Sequence, residues 1–185
     1  GNYFNRLFQT YVTKSIKLDK TRVEIRLREC QRHLESFFCY SPLRKTTDFS
    51  VFELGTGWHP IIPVALFLCG AGKIWTIDRV SLLSYESVRE TLRWFVNFSE
   101  SGELLRILPR AISDRVGELK SALEDKTVME AYQVLEKFNI VALVCDASKT
   151  GLEGSSMDLL LSNTTLEYIP GSVLEGIFVE FRRLA

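Results

Sequence analysis

The feature that most constrains the fold is a set of four short apolar segments, each ending at a glycine, an acid or a small polar residue. They span residues 49–54, 73–77, 140–145 and 157–161. Apolar runs of this length, bounded by turn residues, are typical of buried strands. Segments with helical spacing lie between them, so the strands should be parallel and joined by right-handed crossovers.

The remaining segments are predicted to be helical. The main helices are predicted at residues 16–38, from Pro60 or Pro63 to about 69, at 82–98, and from near Pro170 or Gly171 onwards. The first carries an apolar stripe that we expect to dock on the domain, formed by Val23, Leu27, Cys30, Leu34 and Phe37. The last should bury Val173, Leu174, Ile177, Phe178, Phe181 and Leu184.

Two boundaries follow from this pattern. Residues 99–139 form a helical insertion with two short helices, 113–123 and 128–138, and residues 44–48 form a linker into the first strand. We therefore predict an N-terminal helical segment, residues 1–48, and an α/β domain, residues 49–185.

Composition argues against several function classes. The chain of 185 residues has 23 Lys+Arg and 23 Asp+Glu, so it lacks the excess cations that nucleic acids and anionic membranes attract. No apolar run is long enough to span a bilayer. The four cysteines show neither a CxxC pair nor a zinc-like grouping with histidine. We expect a reduced, cytoplasmic protein without a metal site or a membrane partner.

The stretch FELGTGWHP, residues 52–60, predicts a ligand site. Gly55 and Gly57 let the backbone turn sharply and approach a ligand closely. Asp78 follows about 20 residues later, where an acid binds a ribose diol. His59 replaces a third glycine, and Glu53 would repel the phosphate that a glycine-lined helix start favours. These residues predict a nucleoside that carries a cationic amino acid group.

Acids are expected to meet at one edge of the sheet. Parallel strands present their carboxyl ends on the same side, where ligands bind. Glu53, Asp78 and Asp146 each lie at or beside such an end. Because grouped acids cost free energy without a partner of opposite charge, we expect these three carboxylates to converge on one nucleoside-sized cleft.

The motifs resemble those of class I S-adenosylmethionine-dependent methyltransferases. Residues 53–57, Glu-Leu-Gly-Thr-Gly, resemble the first motif, and Asp78 matches the acid after the second strand. Asp146 with Ala147 resembles the third motif, and residues 158–170 the fourth. The resemblance covers residues 49–185. It implies a doubly wound, mostly parallel Rossmann-like sheet of order 3-2-1-4, and a final helix that leads into a fifth strand, so we expect more chain than these residues.

The resemblance also implies S-adenosylmethionine as the cofactor. Glu53 would bind its amino group, Asp78 its ribose and Asp146 with Ala147 its adenine, while Ser162 and Asn163 would face the transfer site. The other residues implied to bind the cofactor are Gly55, Thr56, Gly57 and Arg79.

The acceptor side is less defined. Asn163 is followed by Thr164-Thr165 rather than the Pro-Pro-aromatic signature of base-modifying relatives. Together with the neutral charge, this favours a small-molecule acceptor and methyl transfer by in-line displacement. No catalytic base is assigned: His33 reads as a surface or packing residue, and Glu167 and Tyr168 as structural or acceptor-side groups.

Two other functions stay open. A methyltransferase-like binding or scaffold module would use the same fold without catalysis. An NAD(P)-dependent oxidoreductase would use the same glycine turn, and the missing third glycine counts against it.

Overall fold

The structure is a computed structural model that describes residues 18–41 and 46–185. Within these residues the chain forms an α/β fold with a four-stranded, all-parallel sheet in the order β3-β2-β1-β4. Seven α-helices in this described part of the chain accompany the sheet. The predicted class and strand order are confirmed, and the fold is Rossmann-like. Residues 16–17 of the first predicted helix and 44–45 of the predicted linker lie outside the described residues.

The bounds of the elements are as follows. The strands are β1 Phe49–Leu54, β2 Ala71–Asp78, β3 Ile140–Val144 and β4 Leu159–Ser162. The helices are α1 Lys20–Tyr40, α2 Ile61–Leu68, α3 Tyr85–Glu100, α4 Glu103–Ile107, α5 Ser113–Glu124, α6 Ala131–Glu136 and α7 Gly171–Leu184, with a short 3₁₀ turn at Leu166–Tyr168.

Strand register brings the predicted site to one edge. Leu54 of β1 pairs with Ile77 of β2 and with Ser162 of β4. Asp78 pairs with Val144 of the neighbouring β3. All four strands therefore end within about one residue of each other, and the segments that follow them lie side by side.

Helix α1 belongs to the main core. Its buried residues are the five predicted ones, Val23, Leu27, Cys30, Leu34 and Phe37. They pack in one cluster with residues of β1 and α2. Asp19 caps the start of the helix, because its side chain accepts a hydrogen bond from the Arg22 backbone N–H at 2.9 Å. Burial of the stripe fixes α1 on the domain rather than leaving it as a separate segment.

Three details differ from the sequence expectations. Strand β3 was expected to be fully buried, but only Ile140 is buried and Val144 is 49% exposed at this edge of the sheet. The face predicted for α7 is too wide, since Val173 and Phe178 are 38% and 52% exposed. The insertion also contains α4, a helix of five residues that is too short to show a periodic pattern.

No helix in the described part of the chain is long and apolar enough to cross a membrane. The four cysteines are unpaired: Cys30 and Cys69 are buried, Cys145 is half-buried and Cys39 is exposed.

Candidate functional site

The turn after β1 needs its two glycines. Gly55 and Gly57 have φ angles of +90° and +72°, in the left-handed region that side chains disfavour. The Gly55 N–H donates to the Ile77 carbonyl at 2.8 Å, so the turn continues the β1–β2 ladder by one bond. The Gly57 N–H donates to Oδ2 of Asp78 at 2.9 Å. The glycine turn and the acid of β2 therefore form one hydrogen-bonded unit.

Asp78 is half-buried at the end of β2. Burial raises the pKa of its carboxyl group, while the hydrogen bond from the Gly57 N–H and interactions with Thr56 lower it. A carboxylate held in this way suits hydroxyl donors of a ligand.

Glu53 lies deeper than the sequence suggested. It is 2% exposed, and the Thr76 hydroxyl donates to its Oε2 at 2.7 Å. Burial raises the pKa of Glu53 to about 8, and nearby Asp78 adds to this, while the Thr76 hydrogen bond and Arg26 lower it. The Thr76 hydroxyl in turn contacts the Thr56 hydroxyl. Glu53 is thus mostly uncharged at neutral pH and linked by hydroxyl groups to the glycine turn.

Asp146 differs in its environment. It is exposed, and its Oδ1 accepts hydrogen bonds from the Ser148 N–H at 2.9 Å and the Ser148 hydroxyl at 2.8 Å. These bonds lower the pKa of Asp146, and the positive charges of Arg79 and Lys149 lower it further. Ala147 is 7% exposed and packs in an apolar cluster with Phe52 and Ile177. Asp146 is therefore an ionised carboxylate facing solvent beside Arg79.

A narrow hollow lies beside Asp78. Its volume is about 10 Å³, space for one water-sized sphere. Neither Glu53 nor Asp146 lines it; the lining residues are Thr56, Asp78, Val80, Leu82, Leu83, Tyr132, Ala142, Leu143 and Val144. A larger hollow of about 470 Å³ lies away from the strand ends, between residues 114 and 138 of the insertion. Within the described residues, the three predicted acids lie at the same edge of the sheet, and the hollow beside Asp78 is lined by Asp78 but not by the other two.

The end of β4 and the segment that follows it lie against the glycine turn. The Ser162 hydroxyl donates to the Leu54 carbonyl at 3.0 Å. A Cβ atom built on Gly55 would lie 1.9 Å from Oγ1 of Thr165. Thr164, between them, has a φ of +50°. Thr165 therefore occupies the position from which a ligand would approach Gly55.

Helix α1 contributes two polar side chains that the sequence did not assign to the site. Nε2 of His33 lies 2.8 Å from Oδ1 of Asn163, and Nη2 of Arg26 donates to the Thr164 hydroxyl at 2.8 Å. The two residues are seven apart, so they lie on one face of the helix. That spacing was visible in the sequence, but nothing in it showed which strand end this face would meet.

The edge offers carboxylates and hydroxyl groups rather than a metal site. Among residues 18–41 and 46–185 no three His, Cys, Asp or Glu side chains are grouped so that they could hold a metal ion. Glu53, Asp78 and Asp146 instead provide hydrogen-bond acceptors and negative charge for hydroxyl groups and cations.

Comparison with protein-family models and with curated proteins gives no match for this chain. The fold and the geometry of the strand ends therefore carry the functional argument.

Proposed function

We propose that the protein is an S-adenosylmethionine-dependent methyltransferase acting on a small-molecule acceptor. One observation carries the proposal: the left-handed turn at Gly55 and Gly57 is tied through the Gly57 N–H to Asp78, the acid that ends β2. This arrangement supports the proposal because a turn that a ligand would approach closely lies next to a carboxylate that would accept hydrogen bonds from a ribose diol, at the edge where Rossmann-like sheets bind ligands.

The charge of the site fits the donor. S-adenosylmethionine supplies a methyl group on a positively charged sulfonium and also carries an ammonium group. Asp78 would accept hydrogen bonds from the ribose, with Arg79 beside it. Asp146 and Ala147 would bind the adenine at the end of β3. The remaining part of S-adenosylmethionine would be enclosed by the turn residues Gly55, Thr56 and Gly57, together with Ser162 at the end of β4 and Asn163 after it.

The site has room for S-adenosylmethionine only after a local rearrangement. Glu53 is 2% exposed, and Thr165 lies against Gly55. A ligand that approaches the turn at Gly55 requires Thr165 to move away. Glu53 must also lose its proton to pair with a cation, because its pKa is about 8. Donor binding below that pH should therefore release a proton.

A binding or scaffold module without catalysis is the second candidate. The observation that favours it is the narrow hollow of about 10 Å³ beside Asp78, since pockets for ligands of this size occupy roughly 300–1,000 Å³. Such a module would keep the fold and bind no methyl donor.

Calorimetry with S-adenosylmethionine, S-adenosylhomocysteine and NADH tests the proposal. We expect binding of the two adenosyl compounds and none of NADH. Asp78→Asn should weaken that binding about 10- to 100-fold, because hydrogen bonds to a charged group are lost. Asp114→Asn, an exposed acid on α5, is the matched control and should bind as the parent does.

The other outcomes separate the candidates. NADH binding would favour an oxidoreductase. Absence of binding by all three compounds would favour the scaffold module, and an Asp78→Asn variant with parental affinity would refute the ribose assignment.

A further inference from the structure

Two threonine hydroxyl groups connect the buried acid of β1 to the acid that ends β2. The Thr76 hydroxyl lies 2.7 Å from Oε2 of Glu53 and also contacts the Thr56 hydroxyl. The Thr56 side chain in turn forms a hydrogen bond with Asp78. Thr76 is 0% exposed, so its hydroxyl finds its partners within the protein. The four residues form one hydrogen-bonded chain in the order Glu53–Thr76–Thr56–Asp78.

This chain needs more protons than the two threonines supply. It contains three side-chain hydrogen bonds. A threonine hydroxyl donates one hydrogen bond, and an ionised carboxylate donates none. The third donor must therefore come from a carboxyl group. All three hydrogen bonds form together only when one of the two acids holds a proton and donates it into the chain.

Either end of the chain can carry this proton. A proton on Oε2 of Glu53 makes every hydrogen bond point towards Asp78, and a proton on Asp78 reverses each of them. Glu53 is 2% exposed, whereas Asp78 is half-buried and also accepts the Gly57 N–H at 2.9 Å. Exposure to water and an additional donor both favour the charged form of a carboxyl group. The proton therefore stays mainly on Glu53.

The other groups that face Glu53 act on it through charge. Its pKa is raised by burial, lowered by the threonine hydrogen bond, raised by Asp78 of β2 and lowered by Arg26 of α1. Burial also raises the pKa of the Cys30 thiol of α1 well above its usual value, so this thiol keeps its own proton. The residue of β4 that pairs with Glu53 is a leucine, which does not titrate. Among the described residues, the threonine chain is the hydrogen-bonded route out of Glu53.

We propose that Thr76 and Thr56 form a proton path through which Glu53 and Asp78 hold one proton between them, and that a ligand engaging both acids displaces this proton. Glu53 gives its proton to the Thr76 oxygen, whose own proton moves to Thr56. The proton of Thr56 moves to Asp78, which releases it to water. At each step one O–H bond forms as another breaks, and no oxidant or reductant takes part.

The shared proton distinguishes two kinds of ligand. A nucleoside with hydroxyl groups alone engages Asp78 and leaves the proton on Glu53. A nucleoside that also carries an ammonium group pairs with Glu53 only after the proton has left. S-adenosylhomocysteine has both groups, whereas 5′-methylthioadenosine has the ribose without the ammonium group. This consequence rests on the proposed function, while the chain itself does not.

A titration of the ligand-free protein tests the chain. Glutamate labelled with ¹³C at the side-chain carboxyl gives signals that move on ionisation, and Glu53→Gln assigns the signal of Glu53. We expect a midpoint near pH 8 in the parent. Thr56→Val removes two of the three hydrogen bonds that form when the proton is present, but only one of the two that remain without it. The midpoint should therefore fall by about 0.5–1 pH unit.

The direction of this change is decisive. If Glu53 titrates alone, loss of a nearby hydroxyl group leaves its midpoint unchanged or raises it, because a polar neighbour favours the charged form. Thr56→Ala removes the same hydroxyl and should lower the midpoint as Thr56→Val does. Thr56→Ser keeps a hydroxyl group and is the matched control, with the parental midpoint. An unchanged or raised midpoint in both Thr56→Val and Thr56→Ala would overturn the shared proton.

Calorimetry at pH 7 in buffers of different ionisation enthalpy counts the protons that a ligand releases. We expect S-adenosylhomocysteine to release about one proton per molecule bound, because the pKa of Glu53 is about 8. We expect 5′-methylthioadenosine to bind without releasing a proton. Equal release with both ligands, or none with S-adenosylhomocysteine, would overturn the displacement of the proton.

The two failures are distinguishable. A protein that binds neither ligand contradicts the proposed function, and the titration of the ligand-free protein then still decides whether the two acids share a proton. A protein that binds both ligands, but keeps the parental midpoint in Thr56→Val and Thr56→Ala, contradicts the shared proton and leaves the proposed function in place.

Discussion

Glu53 is the residue whose chemistry the surrounding structure changes most. In sequence it is a strand-end acid next to a glycine turn, and its charge seemed available to a ligand. In the structure it is 2% exposed and bonded to Thr76. Its pKa of about 8 means that it holds a proton at neutral pH. Glu53 lies between Thr76 of β2 and Leu161 of β4 in the sheet, and residues 52–60 alone could not reveal these neighbours.

The pKa of Glu53 predicts how stability depends on pH. The pKa is raised from an ordinary 4.5 to about 8, so between these values the folded state holds a proton that the unfolded state has lost. The free energy of unfolding should fall as pH rises through this window, by a few kcal/mol in total. Glu53→Gln cannot ionise and should flatten the dependence.

Urea unfolding at pH 5, 7 and 9 checks this prediction. Glu118→Gln, an exposed acid on α5, is the control and should keep the parental slope. If Glu53→Gln loses as much stability as the parent between pH 5 and pH 9, Glu53 is not the group that titrates.

The glycines of the turn predict graded losses of stability. Gly55→Ala combines a φ of +90° with a Cβ placed 1.9 Å from Oγ1 of Thr165. Gly57→Ala has the unfavourable φ but no atom within 4 Å, so it should cost only about 1–2 kcal/mol. Gly117→Ala, in the open on α5, should gain about 0.5–1 kcal/mol. Chemical denaturation midpoints should rank Gly117→Ala above Gly57→Ala above Gly55→Ala, and any other order would contradict the geometry.

At the scale of elements, α1 connects the core to the site. Its apolar stripe is buried, and Arg26 and His33 on a neighbouring face reach the residues after β4. The stripe was predictable, because apolar residues at spacings of four and three mark a buried helix face. The polar contacts were not, since they depend on where the helix lies across the sheet.

Leu27 tests the docking of α1. It is 0% exposed, so Leu27→Ala should lower the free energy of unfolding by about 2–5 kcal/mol through lost contacts and a cavity. Ile25→Ala, 51% exposed on the same helix, should change it by about 0.5 kcal/mol or less. Equal effects of the two substitutions in urea unfolding would show that α1 does not pack as described.

The other elements show where sequence patterns are informative. The four apolar runs predicted all four strands, because strands that are buried on both faces consist of nearly continuous apolar residues. They did not reveal how little of β3 is buried, since Val144 is as apolar as the buried Ile140 yet 49% exposed. The apolar face of α7 was overestimated for the same reason: Phe178 fits the stripe but lies outside the contact with the sheet. Apolar character indicates what can be buried, whereas the neighbouring elements decide what is.

At the scale of the whole molecule, the sheet order determines what can meet. Order β3-β2-β1-β4 puts β1 between β2 and β4. The glycine turn therefore touches Asp78 on one side and the Asn163–Thr165 segment on the other. The shared edge of the acids followed from parallel topology alone, but their separate environments did not. Glu53 is buried, Asp78 is half-buried and Asp146 is exposed, and these differences arise from the helices and loops around each strand end.

The position of the ribose in a crystal structure with S-adenosylhomocysteine tests the central claim most directly. The account predicts ribose hydroxyl oxygens within about 2.6–3.2 Å of the Asp78 carboxylate, with Thr165 moved away from Gly55. A ligand bound elsewhere, or a ribose without contact to Asp78, would contradict it.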